Sequence, residues 1–530
     1  MKRLIVVVPG LRSRKKWWDI VQQRLLQEPE LAGSEWLYWE HHIGRSLGFR
    51  RAEALAGELK SVIDEKWAAA GGYDDVILIG HSMGGPILRQ AYLLASGDRT
   101  GQRAVWHPKV SKIVLFAATN RGVDLRRKFG IGPFAGLLER TGCYAWLPFS
   151  DFLCGSNFIT NMRIRWLRLF RSLPEPPVVV QFLGQHDTMV ATLDSADVDQ
   201  FPTGYQFPVP GANHANVYRI DHLPDAAARD TRYGFIRECI LRPELQAVHQ
   251  RATGLVPSAE RKRIVFVLHG IRDSNNNNWV QEAVNRIQQR DPAVEVHAPN
   301  QGYLTLLKFL SPTRRRRPCR EFKDAYSDCV AKNLNVEFHF LGHSNGTYQL
   351  GEALREIPEM KFGRVVLAGS VLPAKYPWNE RFAAGQLTEL QNHMSNKDYP
   401  VGWVCNALRG IGMRDVGTGG FTGFERTGTG SYQPVAYYDG DHGAALKQPS
   451  LDRLVDYVLG EVPDAATAPV LRGLPSFQRR VSQACKLLAP FLLAGIVVGL
   501  GYFLFGHFSW PVLIAIAVLS VLVLLFLILY

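Results

Sequence analysis

Two short stretches of this chain hold a serine hydroxyl where it can act as a nucleophile: Gly80-His81-Ser82-Met83-Gly84-Gly85 and Gly342-His343-Ser344-Asn345-Gly346. A serine hydroxyl is weakly nucleophilic unless it is held exposed beside a general base, and a sharp strand-to-helix turn does this. Such a turn crowds the flanking backbone, and Gly80, Gly84, Gly342 and Gly346 carry no Cβ to clash. The candidate base for Ser82 is His214, in Val209-Pro210-Gly211-Ala212-Asn213-His214, and the candidate acid is Asp187, which follows the apolar run 178–183. In these roles His214 takes the proton from Ser82, while Asp187 orients the imidazole and stabilises its charged form. His186 precedes that acid and Asp194 lies deeper in the loop, so neither is preferred. For Ser344 the candidates are Asp415, on a glycine-rich loop, and His442, in Gly440-Asp441-His442-Gly443. Asp439 and Asp441 stand too close to His442 to come from the preceding loop.

The apolar pattern supplies the elements that position these groups. Residues 4–8 read as a buried strand turned by Pro9-Gly10-Leu11, followed by a helix (17–27), a strand (36–39) and a helix (51–70). The β-branched run Val76-Ile77-Leu78-Ile79 leads into Ser82. The stretch after it reads as a helix, with Pro86 in the first turn where no amide partner is lost. Residues 110–118 and 178–183 are later strands. Strands alternating with helices predict a mostly parallel sheet covered on both faces. The second half repeats the order: a strand at 263–268 ending in His269-Gly270-Ile271-Arg272, then 336–341, 365–368 and a late strand at 401–406 before Asp415. Spacing supports a duplication. Gly10 precedes Ser82 by 72 residues and Gly270 precedes Ser344 by 74, and each acid precedes its histidine by 27. The serine-to-acid separations differ, 105 against 71, and the surplus falls at about 121–177. That stretch is rich in aromatics and arginines, and reads as a lid over the site, an extra packing layer, or a basic amphipathic helix on a lipid surface.

Through Val8-Pro9-Gly10, Gly80-His81-Ser82-Met83-Gly84-Gly85 and Asn213-His214, the first half resembles the α/β-hydrolase superfamily on its lipase and serine-esterase side, nearest to lipase-like and PGAP1-like esterases. The second half is similar, and together the likeness covers about 1–245 and 262–460. It implies two tandem α/β-hydrolase domains, the chain order serine, acid, histidine, and an acyl-enzyme mechanism with no metal and no other cofactor. It also implies an oxyanion hole made of one amide after the first strand and one after the nucleophile: Leu11 and Met83 in the first half, Ile271 and Asn345 in the second. Many relatives carry His-Gly where this chain has Pro9-Gly10, and the donor amide follows the glycine, so it is retained. This fold hosts many chemistries, so the likeness leaves the substrate open. Hydrolysis of carboxylic esters, lipid esters among them, is the first reading. Its alternatives are acyl transfer or thioester hydrolysis on lipids, and a chain in which one half is a non-catalytic binding or effector scaffold.

With 46% apolar and 21% charged residues in a chain of 530, the composition is that of several folded domains, not a disordered polymer. The net charge of +13 is concentrated in clusters such as 314–317, which reads as a solvated surface loop, and 163–171. No nucleic-acid-binding motif accompanies it, so the expected partners are an anionic membrane surface or an acidic substrate, not nucleic acid. Seven scattered cysteines with no C-x-x-C pair fit reduced thiols in the cytosol. The apolar run near Met1 is too short for a signal peptide and has no small-residue cleavage site, so it reads as a strand. Residues 246–262 and 461–486 read as linkers, the second basic. Residues 487–505 and 512–530 are apolar runs, each long enough to cross a bilayer core. Trp510 between them suits an interface, and Gly495 and Gly499 have the spacing for close helix contact. Arg472, Arg479, Arg480 and Lys486 precede the first run, which places the catalytic domains on the cytoplasmic side. The expectation is a membrane-anchored enzyme with a C-terminal transmembrane helical hairpin.

Overall fold

The computed structural model describes residues 1–11, 13–43, 50–124, 149–190, 197, 203–246, 262–270, 278–299, 309–333, 335–425, 431–461 and 473–505. Beyond Arg3, the segment Arg3–Val8 has no polar side chain, so a strand made of it must be covered on both faces. It is buried from Leu4 onward as β1. Around it lie β2 (Glu35–Tyr38), β3 (Asp75–His81), β4 (Val110–Phe116), β5 (Val178–Gly184) and β6 (Gly204–Val209), in the order β2-β1-β3-β4-β5-β6. Every pairing in this sheet is parallel. Alternate side chains sort to opposite faces, as strand geometry requires. Leu4, Val6, Val8, Val76 and Leu78 meet the helices Ala52–Ala70, Gly84–Ala95 and Asn157–Ser172, while Ile5, Val7, Ile77 and Ile79 meet Lys15–Leu25 and Ala226–Leu241.

The second sheet repeats this plan. Its strands are β7 (Lys262–Leu268), β8 (Glu295–His297), β9 (Val336–His343), β10 (Phe362–Ala368), β11 (Leu387–Ser395) and β12 (Ser431–Tyr438). Read from its short edge, the order is β8-β7-β9-β10-β11-β12, again all parallel. Val265, Val267, Leu341 and Val366 pack with Val280, Ala283 and Ile287 of the helix Asn278–Arg290 and with the helix Ser450–Leu459.

The chain divides into two compact units, residues 1–259 with 320–334, and 260–319 with 335–530. This differs from a cut between the sequence halves, because 320–334 belongs with the first unit. Charge fixes it there: Arg121 donates to both oxygens of Asp324 at 3.0 and 2.9 Å, and Arg163 reaches Ser327 Oγ at 3.1 Å and Asp328 at 3.3 Å.

Within 121–177, the helix Asn157–Ser172 is a packing layer. Its Phe158, Ile159, Met162, Trp166, Leu167 and Phe170 join the first core. Arg163 and Arg165 turn inward instead of toward a lipid surface. Arg163 Nε donates to Asp197 at 2.6 Å, Arg89 reaches the same carboxylate at 3.1 Å, and Arg165 Nε donates to Asp98 at 2.8 Å. Arg89 and Asp197 are both buried, so loss of Asp197 would leave the Arg89 guanidinium without its carboxylate, at a cost of about 3–5 kcal/mol. The rest of the expected lid, 125–148, lies outside the described residues, as do Asp194, most of the first linker and 462–472 of the second, whose residues 476–486 are helical instead of linker.

Two expectations for the second half are corrected. The late strand is β11, and 401–406 is helical: a π-helical turn Pro400–Cys405 runs into the short helix Asn406–Gly410. The arginine run 314–317 lies on the helix Pro312–Lys332 and not on a loop, with Arg315 buried. At the C-terminal side, one helix among the described residues, Ser476–Phe505, is long and apolar enough to cross a membrane. The second expected span, 512–530, lies outside the described residues.

Candidate active site

At the C-terminal ends of β3 and β9 the chain must turn straight into a helix, and one residue absorbs the turn. Ser82 has φ 51° and Ser344 φ 53°, in the left-handed region where a side chain is strained. The surroundings hold them there. Ser82 N donates to Phe116 O at 2.9 Å and Ser344 N to Ala368 O at 3.0 Å. The glycines two residues on let the new helix press against the first strand of each sheet. A Cβ on Gly84 would strike the carbonyl oxygen of Val8, and one on Gly346 that of Leu268. Gly10 and Gly270 close the other side, where a Cβ would lie 2.8 Å from Cβ of Ser82 or Ser344.

In the first unit, Ser82 Oγ lies 2.8 Å from His214 Nε2, and His214 Nδ1 lies 3.0 Å from Asp187 Oδ2. Asp187 follows β5 by three residues in a turn closed by its own amide on Gly184 O. Its other oxygen accepts the amides of Met189 at 2.8 Å and Val190 at 3.0 Å, which aims the carboxylate at the imidazole. The loop bearing His214 is braced by reciprocal bonds: Asn213 N to Asn216 Oδ1 at 2.7 Å, and the amides of Ala215 and Asn216 to Asn213 Oδ1 at 3.0 and 3.2 Å.

In the second unit the sequence choice of acid is corrected. His442 Nδ1 lies 2.8 Å from Asp398 Oδ2, and Asp398 is fully buried. Asp398 follows β11 by three residues, its amide turned onto Ser395 O and its Oδ1 accepting from Val401 N at 3.1 Å, as Asp187 does after β5. Asp415 is engaged elsewhere, accepting from Arg315 Nη2 at 2.6 Å and Tyr348 OH at 2.9 Å. Burial alone would raise the Asp415 carboxyl, but Arg315 and Tyr348 outweigh it and hold it below the usual carboxylate range. Asp441 pairs with Lys447 and Asp439 with Lys397. Ser344 and His442 face one cavity of about 320 Å³, walled by Phe309, Val371, Val401, Cys405 and Leu408. A separate cleft of about 20 Å³ beside Gly10 is lined by Ser13, Glu40, His41 and His42, and by neither Ser82 nor His214.

Met83 and Asn345 follow the two serines at helix N-termini, where amides have no partner within the helix. Leu11 follows Gly10 at the surface, and Ile271 lies outside the described residues.

Sequence reasoning gave no role to the histidines preceding the two serines. His81 Nε2 lies 3.1 Å from His214 O, and His343 Nε2 lies 3.1 Å from His442 O. A carbonyl accepts only from N–H, so each elbow histidine donates and ties its turn to the loop of the site histidine. Burial pushes His81 and His393 down to about 3 and His107 to about 4, and holds His343 well below 6.5. Folded, these groups stay neutral where the unfolded chain takes up protons, so the unfolded state binds more protons below about pH 6.5. Stability is therefore expected to fall as pH drops from about 6.5 toward about 4. Urea midpoints measured across that range check this, and flat midpoints would contradict it.

Solved structures similar to this chain include a soluble variant of monoglyceride lipase from Saccharomyces cerevisiae, at 15% identity and TM-score 0.30, covering 45% of this chain and 85% of that one. A monoacylglycerol lipase from Paleococcus ferrophilus matches at 16% and 0.29, covering 45% and 93%. The RedJ thioesterase of prodiginine biosynthesis in Streptomyces coelicolor matches at 15% and 0.27, covering 44% and 89%. No protein-family model and no curated protein sequence matches the chain. The finer likeness to PGAP1-like esterases finds no support in these matches.

Proposed function

We propose that this chain, whose two units share the α/β-hydrolase fold, is a serine esterase with an ester-cleaving centre in each unit and a C-terminal membrane anchor. The observation that carries the reading is the hydrogen-bonded line from Asp187 through His214 to Ser82. Ser82 Oγ attacks the ester carbonyl carbon while His214 Nε2 takes the hydroxyl proton, and Asp187 steadies the imidazolium. The amides of Met83 and Leu11 face the oxyanion that forms. His214 then gives its proton to the leaving alcohol oxygen as the C–O bond breaks, leaving an acyl-serine. Water, deprotonated by His214, attacks that acyl carbon; the proton returns to Ser82 Oγ and the carboxylic acid leaves. In the second unit Ser344, His442 and Asp398 take the same parts, with Asn345 and Ile271 as the amide donors. The apolar cavity at Ser344 suits an acyl group. The helix Ser476–Phe505 is read as the anchor, with Arg479, Arg480 and Lys486 on its cytoplasmic side.

A fluorophosphonate probe on folded full-length protein, followed by peptide mass spectrometry, is expected to find adducts on Ser82 and Ser344. Adducts on neither would refute the reading. Absence at Ser344 alone would make the second unit a binding scaffold. New esters formed with added acceptor alcohols would turn hydrolysis into acyl transfer.

A further inference from the structure

The cavity beside Ser344 has one wall that belongs as much to the C-terminal helix as to the fold around it. Pro400, Val401, Val404, Cys405 and Leu408 line that side, all from Pro400–Cys405 and Asn406–Gly410. Polar ties fasten this segment to the helix Ser476–Phe505. Ser482 Oγ donates to Gly402 O, and Asn406 Nδ2 donates to Ser482 O at 2.8 Å and to Ser482 Oγ at 3.0 Å. Ser482 is 1% exposed, so these bonds are made out of water. One turn further, Gly410 lies flat on the helix, and a Cβ there would strike the carbonyl oxygen of Lys486.

Immediately after that contact the helix changes character. Leu487, Leu488, Phe491, Leu492, Leu500 and Phe503 are all exposed. A helix rises 1.5 Å per residue, so Leu487 stands only about 8 Å along the axis from Ser482. The apolar stretch therefore begins within one or two turns of the cavity wall. The wall is apolar on its outer side as well. Val404 lines the cavity yet is 45% exposed, which places it at the mouth. Tyr399, 40% exposed, packs on Trp403 with ring centroids 4.4 Å apart, a pairing suited to a membrane–water interface.

We infer that the second unit draws its substrate directly from the bilayer, an ester lipid whose acyl chain passes Val404 into the cavity at Ser344. The occupant of the exposed helix face is the acyl region of that bilayer, argued from the continuity of the face with a helix long and apolar enough to span. The C-terminal helix is thus a strut that sets the cavity mouth at the membrane surface as well as an anchor. An acyl chain moving from bilayer to apolar cavity avoids exposing its methylenes to water. The inference rests on the reading of Ser344 as a nucleophile.

The test uses the full chain, with Ser82→Ala so that only the second unit is read, in phosphatidylcholine vesicles. Two substrates are compared: a long-chain fluorogenic ester embedded in the vesicle, and a short-chain ester soluble in water. Ser482→Ala removes the two bonds of its hydroxyl, to Gly402 O and from Asn406 Nδ2, without touching the cavity, and Gly410→Leu wedges wall from helix. Each is expected to lower turnover of the embedded ester by about tenfold or more and to leave the soluble ester within about twofold. An equal fall for both esters would mean the ties merely support the fold, and no change for either would mean the strut is idle; both outcomes overturn the inference. Should Ser344 in the parent protein turn over neither ester and take up no fluorophosphonate, the catalytic reading of this unit fails first, and that failure is recognisable because it appears without any change at Ser482 or Gly410.

Discussion

Replacing Ser82 by alanine is expected to lower ester turnover by the first unit at least about 10³-fold, and Ser344→Ala to do the same in the second. The size of the effect comes from how the parts cooperate. Without the hydroxyl, His214 has no proton to take and no covalent intermediate forms, so only orientation and oxyanion contacts remain. The two losses should fall on different substrates. The cavity at Ser344 is apolar, and 105 residues separate Ser82 from Asp187 against 54 between Ser344 and Asp398, so different segments of chain surround the two serines. Values of kcat/KM over a series of esters of rising chain length, for each single variant and the double variant, should resolve two profiles. Only the double variant should be inert. If one single substitution removed all ester turnover, the other unit would not be an esterase.

What the chain shows in its letters and what it hides follow from burial. Parallel strands covered on both faces are written as mostly apolar, β-branched runs, which is why β1, β3, β4 and β5 are legible. The strained turns are legible because close approach leaves room for glycine alone on either side of each serine. β11 is hidden because it carries Asn392 and His393 in the interior, beside the half-buried Gln391. They are tolerated there because each finds a partner: His393 with Tyr438 OH at 2.7 Å and Gln391 at 3.0 Å, and Asn392 with Gly419 O at 2.9 Å. With that strand unread, the apolar residues 401–406 take its place, and the acid is sought too far along. The equal spacing of 27 residues is then a coincidence, since the bonded acid and histidine of the second unit stand 44 apart, against 27 in the first. The local signal that locates the acid is the strand end plus three, shared by Gly184 with Asp187 and Ser395 with Asp398. Buried arginines mislead in the same way. Arg163, Arg165 and Arg315 look like surface charge until Asp197, Asp98 and Asp415 are seen beside them.

The choice between Asp398 and Asp415 yields the sharpest expectation. Asp398→Asn should cut kcat of the second unit by about 10⁴-fold, because an amide no longer holds the proton on Nδ1 and His442 presents the wrong tautomer to Ser344. Geometry and stability should change little, since asparagine keeps an oxygen for the Val401 amide. Asp415→Ala should do the opposite. It strands Arg315, which is 1% exposed, and so should lower stability by about 3–5 kcal/mol, seen as an earlier melting transition. Arg315 also donates to Phe309 O at 2.7 Å, and Phe309 walls the cavity. Loss of Asp415 is therefore expected to raise KM as that wall loosens, while kcat in the protein that remains folded stays within a few-fold. Steady-state kinetics below the melting transition, with kcat and KM separated, distinguish the two. If kcat collapsed in the Asp415 variant and survived in the Asp398 variant, the hydrogen bond from His442 to Asp398 would not be the catalytic one, and the acid would have to reach His442 from the glycine-rich loop after all.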